Sequence, residues 1–205
     1  SMANTELAAI KYSVTPSNFD GKISFTPYID ADVKNQDSNY NEKFWMEIER
    51  NSQIREAYII TETKKTAFQV CTAMRFNITQ DHVSLIFTAK TIGKEMYVAN
   101  QIEVLAKKDQ ETVLYKYVSC LSSENHKKKD IALHAQNIVN QAAIDGYEIL
   151  LNNHINVWNT KWKESDIIIE GDKAAQQGIR FNIFHLNQTY TGEDERLNIG
   201  PKGFT

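Results

Sequence analysis

No apolar run in this 205-residue chain approaches the roughly 20 residues that a membrane-spanning helix requires. Nor does a charged start followed by an apolar stretch mark a secretory signal. Basic residues are not in excess: 23 Lys and Arg against 26 Asp and Glu leave a net charge of −3 and a pI near 6.0. A nucleic-acid partner would leave a basic footprint, so none is expected, and no membrane partner either. Cysteine is scarce. Cys71 and Cys120 fall in the strand-like runs AFQVCTAMRF and TVLYKYVSCL. They are read as two buried free thiols, which fits a reducing compartment and hence the cytoplasm. Five histidines (His82, His126, His134, His154 and His185) show no metal-ligand spacing. Asp30, Asp32, Asp37 and Glu42 lack the central Gly and terminal Glu of a calcium loop, so no metal site is expected. No internal repeat or low-complexity tract is present.

What is present changes period once. From Glu6 to Leu121 the apolar residues alternate in seven runs rich in Val, Ile, Thr, Tyr and Phe: ELAAIKYSV, KISFTPYI, AYIITET, AFQVCTAMRFN, VSLIFTA, EMYVANQIEVL and TVLYKYVSCL. Alternation gives each strand one face for a core and one for water. Turn-like separators stand at Asn18–Gly21, Thr79–His82 and Thr91–Lys94. Strands joined by short turns without helices predict an antiparallel sandwich. The one long interruption, Ala31 to Glu56, is polar and carries Phe44 and Trp45. After the polar spacer SSENHKKKD the period becomes helical. Ile131, His134, Ile138 and Val139 mark one helix; Ile149, Leu150, His154, Val157, Trp158 and Trp162 mark a second. Asp145 and Glu148 stand at capping-box spacing for that second helix. Trp158 and Trp162, one turn apart, are expected to be largely buried. A third amphipathic pattern carries Ile179, Ile183, Leu186 and Tyr190.

The charged clusters read as ordinary surface. Lys127–Lys129 beside Asp130 is a solvated face. Glu193, Asp194 and Glu195 beside Arg196 are solvated or ion-paired, unlike a general acid, which needs a raised pKa. Gly200-Pro201-Lys202-Gly203 lacks the spacing of a phosphate-binding loop, and Pro201 removes a backbone donor. A loop so rich in Gly and charge has to be followed by something that buries it. The sequence is therefore expected to continue past Thr205.

Three blocks carry a resemblance: PYIDADVKNQDSNYNEKFW at Pro27–Trp45, WNTKWKESDIIIEGD at Trp158–Asp172, and QQGIRFNIFHLNQTYTGEDERLNIGPKGFT at Gln176–Thr205. Together they resemble glycoside hydrolase family 65, and within it the maltose phosphorylases. The resemblance implies an α+β chain. Residues 1–125 would be the later part of an N-terminal β-sandwich of the galactose mutarotase-like, supersandwich type. Residues 126–165 would be a helical linker, and residues 166–205 the first helix and loop of an (α/α)6 catalytic barrel. It also implies that the long loop before Trp45 packs toward the barrel, with Phe44 and Trp45 at the interface.

The reaction so implied is inverting phosphorolysis of an α-linked glucose disaccharide, maltose first, with phosphate as co-substrate and no cofactor. The catalytic acid would lie beyond Thr205, leaving no catalytic residue here. Lys202 and Phe204 are the substrate-binding candidates, on one wall of the sugar pocket. Expected partners are the disaccharide, phosphate, the remainder of the barrel and a second copy in a homodimer, through a sheet edge left unpaired. Trehalose, kojibiose or nigerose phosphorolysis, hydrolysis by a family member, and a free-standing carbohydrate-binding module are the alternatives.

Overall fold

The computed structural model describes residues 2–34, 39–189, 192 and 194–196. The chain divides into two compact units, 1–154 and 155–205.

The first unit is a sandwich of two antiparallel sheets. The larger sheet runs β1 (Met2–Asn4), β2 (Leu7–Val14), β11 (Thr112–Ser122), β7 (Gln69–Gln80), β6 (Glu56–Thr63) and β5 (Trp45–Gln53), with β8 (Val83–Ser84) against β7. β7 and β11 form its centre, paired from Thr112↔Gln80 to Ser122↔Val70. The smaller sheet sets β10 (Tyr97–Ala106) between β9 (Lys90–Lys94) and the pair β3 (Gly21–Phe25) and β4 (Tyr28–Asp30).

Alternation along β7 assigns the two faces. Phe76 and Ile78 pack with Phe25, Ile102 and Val104 of the smaller sheet, and Met74 packs with Ile29 and Val98. Cys71 and Ala73 face the other way, into a cluster closed by the helix α1 (Ile131–Asp145). On α1 the residues Ile131, Ala135, Val139 and Ala142 recur at helical spacing and are buried. Two alanines in that row let the helix lie close to the sheet, and Ser119 Oγ donates to Ala135 O at 2.9 Å. Arg75 Nη1 ties the same layer together, donating to Glu56 Oε2 at 3.2 Å and Asn140 Oδ1 at 2.7 Å.

Several expectations need correction. The polar stretch Ala31 to Glu56 contains a strand, β5, that periodicity did not mark. Among the described residues it pairs only with β6 and, as an edge strand, carries Glu47, Glu49 and Arg50 among its apolar residues. Thr91–Lys94 is not a turn but most of β9; the reversal falls one step later, with Met96 at φ 58. In VSLIFTA only Val83 and Ser84 are strand. Leu85, Phe87 and Ala89 alternate because they pack into the core, not because they belong to a ladder. KISFTPYI divides at Pro27, which has no N–H to give. The register on β10 nonetheless runs through, and Asn100 N donates to Pro27 O at 3.0 Å. At Asp81-His82 both residues take positive φ (46 and 67), the geometry of a two-residue hairpin turn.

Two helices rather than one follow the sandwich. Gly146, at φ 84, ends α1, and α2 (Tyr147–Ser165) begins at the next residue. Asp145 does not cap α2: it closes α1, accepting from Gln141 Nε2 at 2.7 Å, while Glu148 pairs with Lys11. Leu150 is buried in the sandwich unit, whereas Ile149 and Val157 are exposed.

In the second unit α3 spans Lys173–Thr189, beginning ahead of Ile179, the first residue of its amphipathic pattern. Asp172 caps it, its Oδ1 accepting from Ala174 N at 2.9 Å and Ala175 N at 3.0 Å. Ile183 is buried, but Leu186 is 64% exposed, and Tyr190 lies outside the described residues. Trp158 and Trp162 are half-buried rather than buried. Their rings meet tilted at 6.1 Å, and Trp158 lies 4.9 Å from the Phe184 ring.

Candidate functional site

The second unit holds a concavity beside α3. Residues 166–172 form an irregular segment fixed to α3 at three points. Gln176 reads the backbone, with Nε2 donating to Ile167 O at 2.8 Å and Oε1 accepting from Ile169 N at 2.6 Å. Arg180 takes the carboxylate of Asp166 in a two-pronged grip, and its charge and hydrogen bonds hold that carboxyl below its ordinary range. Asp172 supplies the third tie as the helix cap. The resulting cavity, about 670 Å³, has Trp162, Phe181 and Phe184 as its apolar wall and Lys173, Gln177 and Arg180 as its polar rim. A cavity of this size and lining suits an apolar or ring-shaped group flanked by donors. The acid that lines it, Asp172, is engaged in capping α3.

Asp194 is likewise disarmed. Arg196 donates Nε to its Oδ1 at 2.9 Å and Nη2 to its Oδ2 at 2.6 Å, holding the carboxyl down at about 2. A carboxyl held there is ionised at neutral pH. Glu193, the turn Gly200–Gly203 and the candidates Lys202 and Phe204 lie outside the described residues.

In the sandwich unit a smaller cavity of about 320 Å³ lies among Asp32, Lys43, Trp45, Glu47, Lys64 and Met96. Its charges are largely spent on one another. Lys43 pairs with Asp32, and Glu47 accepts from Met96 N at 2.6 Å while pairing with Arg50. Asp30 Oδ1 accepts from Asp32 N at 3.0 Å, the loop hydrogen bonding the sequence suggests. Trp45 packs on Phe68 at 6.3 Å. Lys128 is no free anion site either, since Nζ donates to Glu62 Oε2 at 3.1 Å and Ala67 O at 2.5 Å. Among the described residues no group of three or more His, Cys, Asp and Glu is arranged to hold a metal ion.

The thiols correct one expectation. Both are free, and burial pushes Cys71 up to about 12, but Cys120 is exposed. Its side chain faces away from the α1 layer, on the side of β11 opposite Leu121. Sequence reasoning also missed the grip of Arg180 on Asp166. Fourteen residues separate them, and only the irregular segment brings them together. The acid at Asp172 before KAAQQ was a legible cap signal for where α3 begins.

Two facing antiparallel sheets followed by helices define the class: a β-sandwich domain with a helical extension. The chain belongs to glycosyl hydrolase family 65, whose N-terminal domain profile matches residues 1–161. It is 37% identical over 210 aligned positions to the maltose phosphorylase of Bacillus subtilis (strain 168), covering all of this chain and 27% of that protein. To the α,α-trehalose phosphorylase of Thermoanaerobacter brockii it is 32% identical, again over the whole chain and 27% of the relative. The chain thus spans about a quarter of the length of these curated relatives. A solved structure of a human-microbiome protein, provisionally described as a kojibiose phosphorylase, matches 97% of this chain and 25% of its own with a TM-score of 0.82 at 22% identity; that likeness concerns the fold. Among the described residues no helix is long and apolar enough to cross a membrane.

Proposed function

We propose that this chain is the sandwich, linker and barrel-opening part of an inverting α-glucoside phosphorylase that converts maltose and phosphate to β-glucose 1-phosphate and glucose. The observation that carries the substrate is the ranking of relatives. Identity falls from 37% for a maltose phosphorylase to 32% for a trehalose, 26% for a kojibiose and 25% for a nigerose phosphorylase. Trehalose is the competing substrate.

The reaction needs little from this part of the protein. A phosphate oxygen attacks the anomeric carbon from the face opposite the leaving group. The bond from that carbon to the bridging oxygen breaks, and a carboxylic acid delivers its proton to the departing sugar oxygen. An inverting hydrolase needs a second carboxylate to activate water, whereas phosphate arrives already anionic. Asp166 and Asp194 are held in the ionised form by arginines, which supports an acid elsewhere in the longer protein.

The division we propose is residues 1–125 for the sandwich, 126–165 for the linker and 166–205 for the opening of the barrel. In this arrangement α3 is the first barrel helix, and the exposed Phe181 and Leu186 are covered by barrel helices absent from this chain. The 205 residues alone are inactive and serve as architecture. Lys202 and Phe204 stand on the wall of the sugar pocket. Phe204→Ala in the full-length protein then raises KM more than it lowers kcat, because a platform contact is made in ground and transition states alike. An unchanged KM removes Phe204 from the pocket. We also place the protein in the cytoplasm, on the strength of its two free thiols, and as a homodimer. Assaying the full-length protein on maltose with and without phosphate tests the reaction; equal turnover without phosphate makes it a hydrolase.

A further inference from the structure

Two of the five scattered histidines are brought together by the fold, and a carboxylate stands behind one of them. His126 lies in the turn after β11, pinned by its N–H to Ser122 O at 3.0 Å. His134 lies in the first turn of α1 and is exposed. Their Nδ1 atoms are 3.4 Å apart, and the ring planes cross at 74°. On its other nitrogen, Nε2, His126 meets Glu6 Oε1 at 2.7 Å. Glu6 comes from the turn between β1 and β2, which is fixed in turn by Cys120 N donating to Glu6 O at 3.0 Å and Glu6 N donating to Asn4 Oδ1 at 2.9 Å.

We infer that His126 and His134 form a binding site for an imidazole-preferring divalent ion of the zinc class, with Glu6 as the carboxylate that orients His126. Three observations converge on it. Two nitrogens each about 2.0–2.1 Å from a tetrahedral ion stand about 3.4 Å from one another, which is the separation observed. The hydrogen bond from Nε2 to a carboxylate fixes the His126 proton on the far nitrogen, so that Nδ1 presents its lone pair, the arrangement that supports metal-bound imidazoles. Access is graded correctly. The His126 and Glu6 side chains are only 20% and 27% exposed, which holds them in place, while exposed His134 leaves the ion a way in.

Without metal, one imidazole donates to the other across the gap. With metal, His134 carries its proton on Nε2 and both Nδ1 lone pairs are given to the ion. Protein supplies two ligands and water the others, so the site lacks the four-ligand closure of structural zinc sites. What the ion would do follows from the segments it joins. It clips the turn after β11 to the start of α1, where the sandwich hands over to the helices. Binding only the folded form, it stabilises that junction by mass action.

The test is a calorimetric titration of zinc chloride into the untagged, chelator-stripped chain, with melting curves at the same zinc concentrations. The expected result is one ion per chain and a melting midpoint that rises with zinc. His134→Asn, at an exposed position that leaves the fold intact by circular dichroism, should weaken binding at least tenfold and abolish the rise. Glu6→Gln should weaken it by about 10–100-fold, the usual cost of losing an orienting carboxylate. His82→Asn should change nothing. Absence of saturable zinc binding, or unchanged affinity in folded His134→Asn, overturns the site.

Discussion

Arg180 and Asp166 form a fork-to-fork ion pair: Nε to Oδ1 at 2.8 Å and Nη2 to Oδ2 at 2.6 Å. The pair ties the segment that leads into α3 to the helix itself. Because Asp166 is held below its ordinary carboxyl range, its contribution to stability has a definite pH dependence. It is fully present above the unfolded value of about 3.9 and is lost as pH falls through the lowered, folded value. Carboxyl NMR should show Asp166 titrating below the other surface aspartates, and returning to the ordinary range in Arg180→Gln. Arg180→Lys should restore only part of the shift, since an ammonium cannot match the fork. An Asp166 titration identical in Arg180→Gln and the parent chain contradicts the pairing.

Asn100 is fully buried on β10, and among the described residues neither atom of its side-chain amide has a hydrogen-bond partner. A buried, unsatisfied polar group costs about 1–3 kcal/mol. Asn100→Leu, which keeps the γ-branched shape without the polar atoms, should therefore stabilise the sandwich in urea unfolding. A loss of stability would mean that the amide is satisfied in solution.

Phe76 fills the centre between the two sheets, fully buried and stacked on Phe87 at 5.9 Å. Phe76→Ala should cost about 3–5 kcal/mol of unfolding free energy. Phe181→Ala, at a ring 62% exposed, should cost far less in the 205-residue chain. Equal losses would contradict the placement of the core.

The thiols differ in reach. Under native conditions a maleimide should label Cys120 alone, and slowly, because partial desolvation raises that thiol too. In denaturant both should react. Native labelling that persists in Cys120→Ser would show that Cys71 is accessible.

Much of the sandwich was legible because a half-buried strand writes its environment as alternation. MRFNI on β7 sends Met74, Phe76 and Ile78 to one face, and the pattern follows. β5 was illegible for the opposite reason: an edge strand lies open along one side, so Glu47, Glu49 and Arg50 are tolerated in its run and no clean alternation develops. Leu85, Phe87 and Ala89 misled in the other direction, since alternation records packing and not ladder hydrogen bonds. In the helices, Trp158 and Trp162 were read as buried from their helical spacing, one turn apart. Their half-exposure reflects that α2 turns only part of its surface onto α3 aromatics. The pairings Arg180–Asp166 and His126–His134 join residues with no local signature, and only the folded chain brings them within reach.

The most direct test of the account is product analysis of the full-length protein carrying this chain, given maltose and phosphate, and given trehalose, kojibiose and nigerose in parallel. The account predicts β-glucose 1-phosphate and glucose from maltose, with no turnover when phosphate is omitted. A preference of more than about tenfold in kcat/KM for another disaccharide, roughly 1.4 kcal/mol in the transition state, would contradict the maltose assignment. Release of α-glucose 1-phosphate would contradict inversion itself.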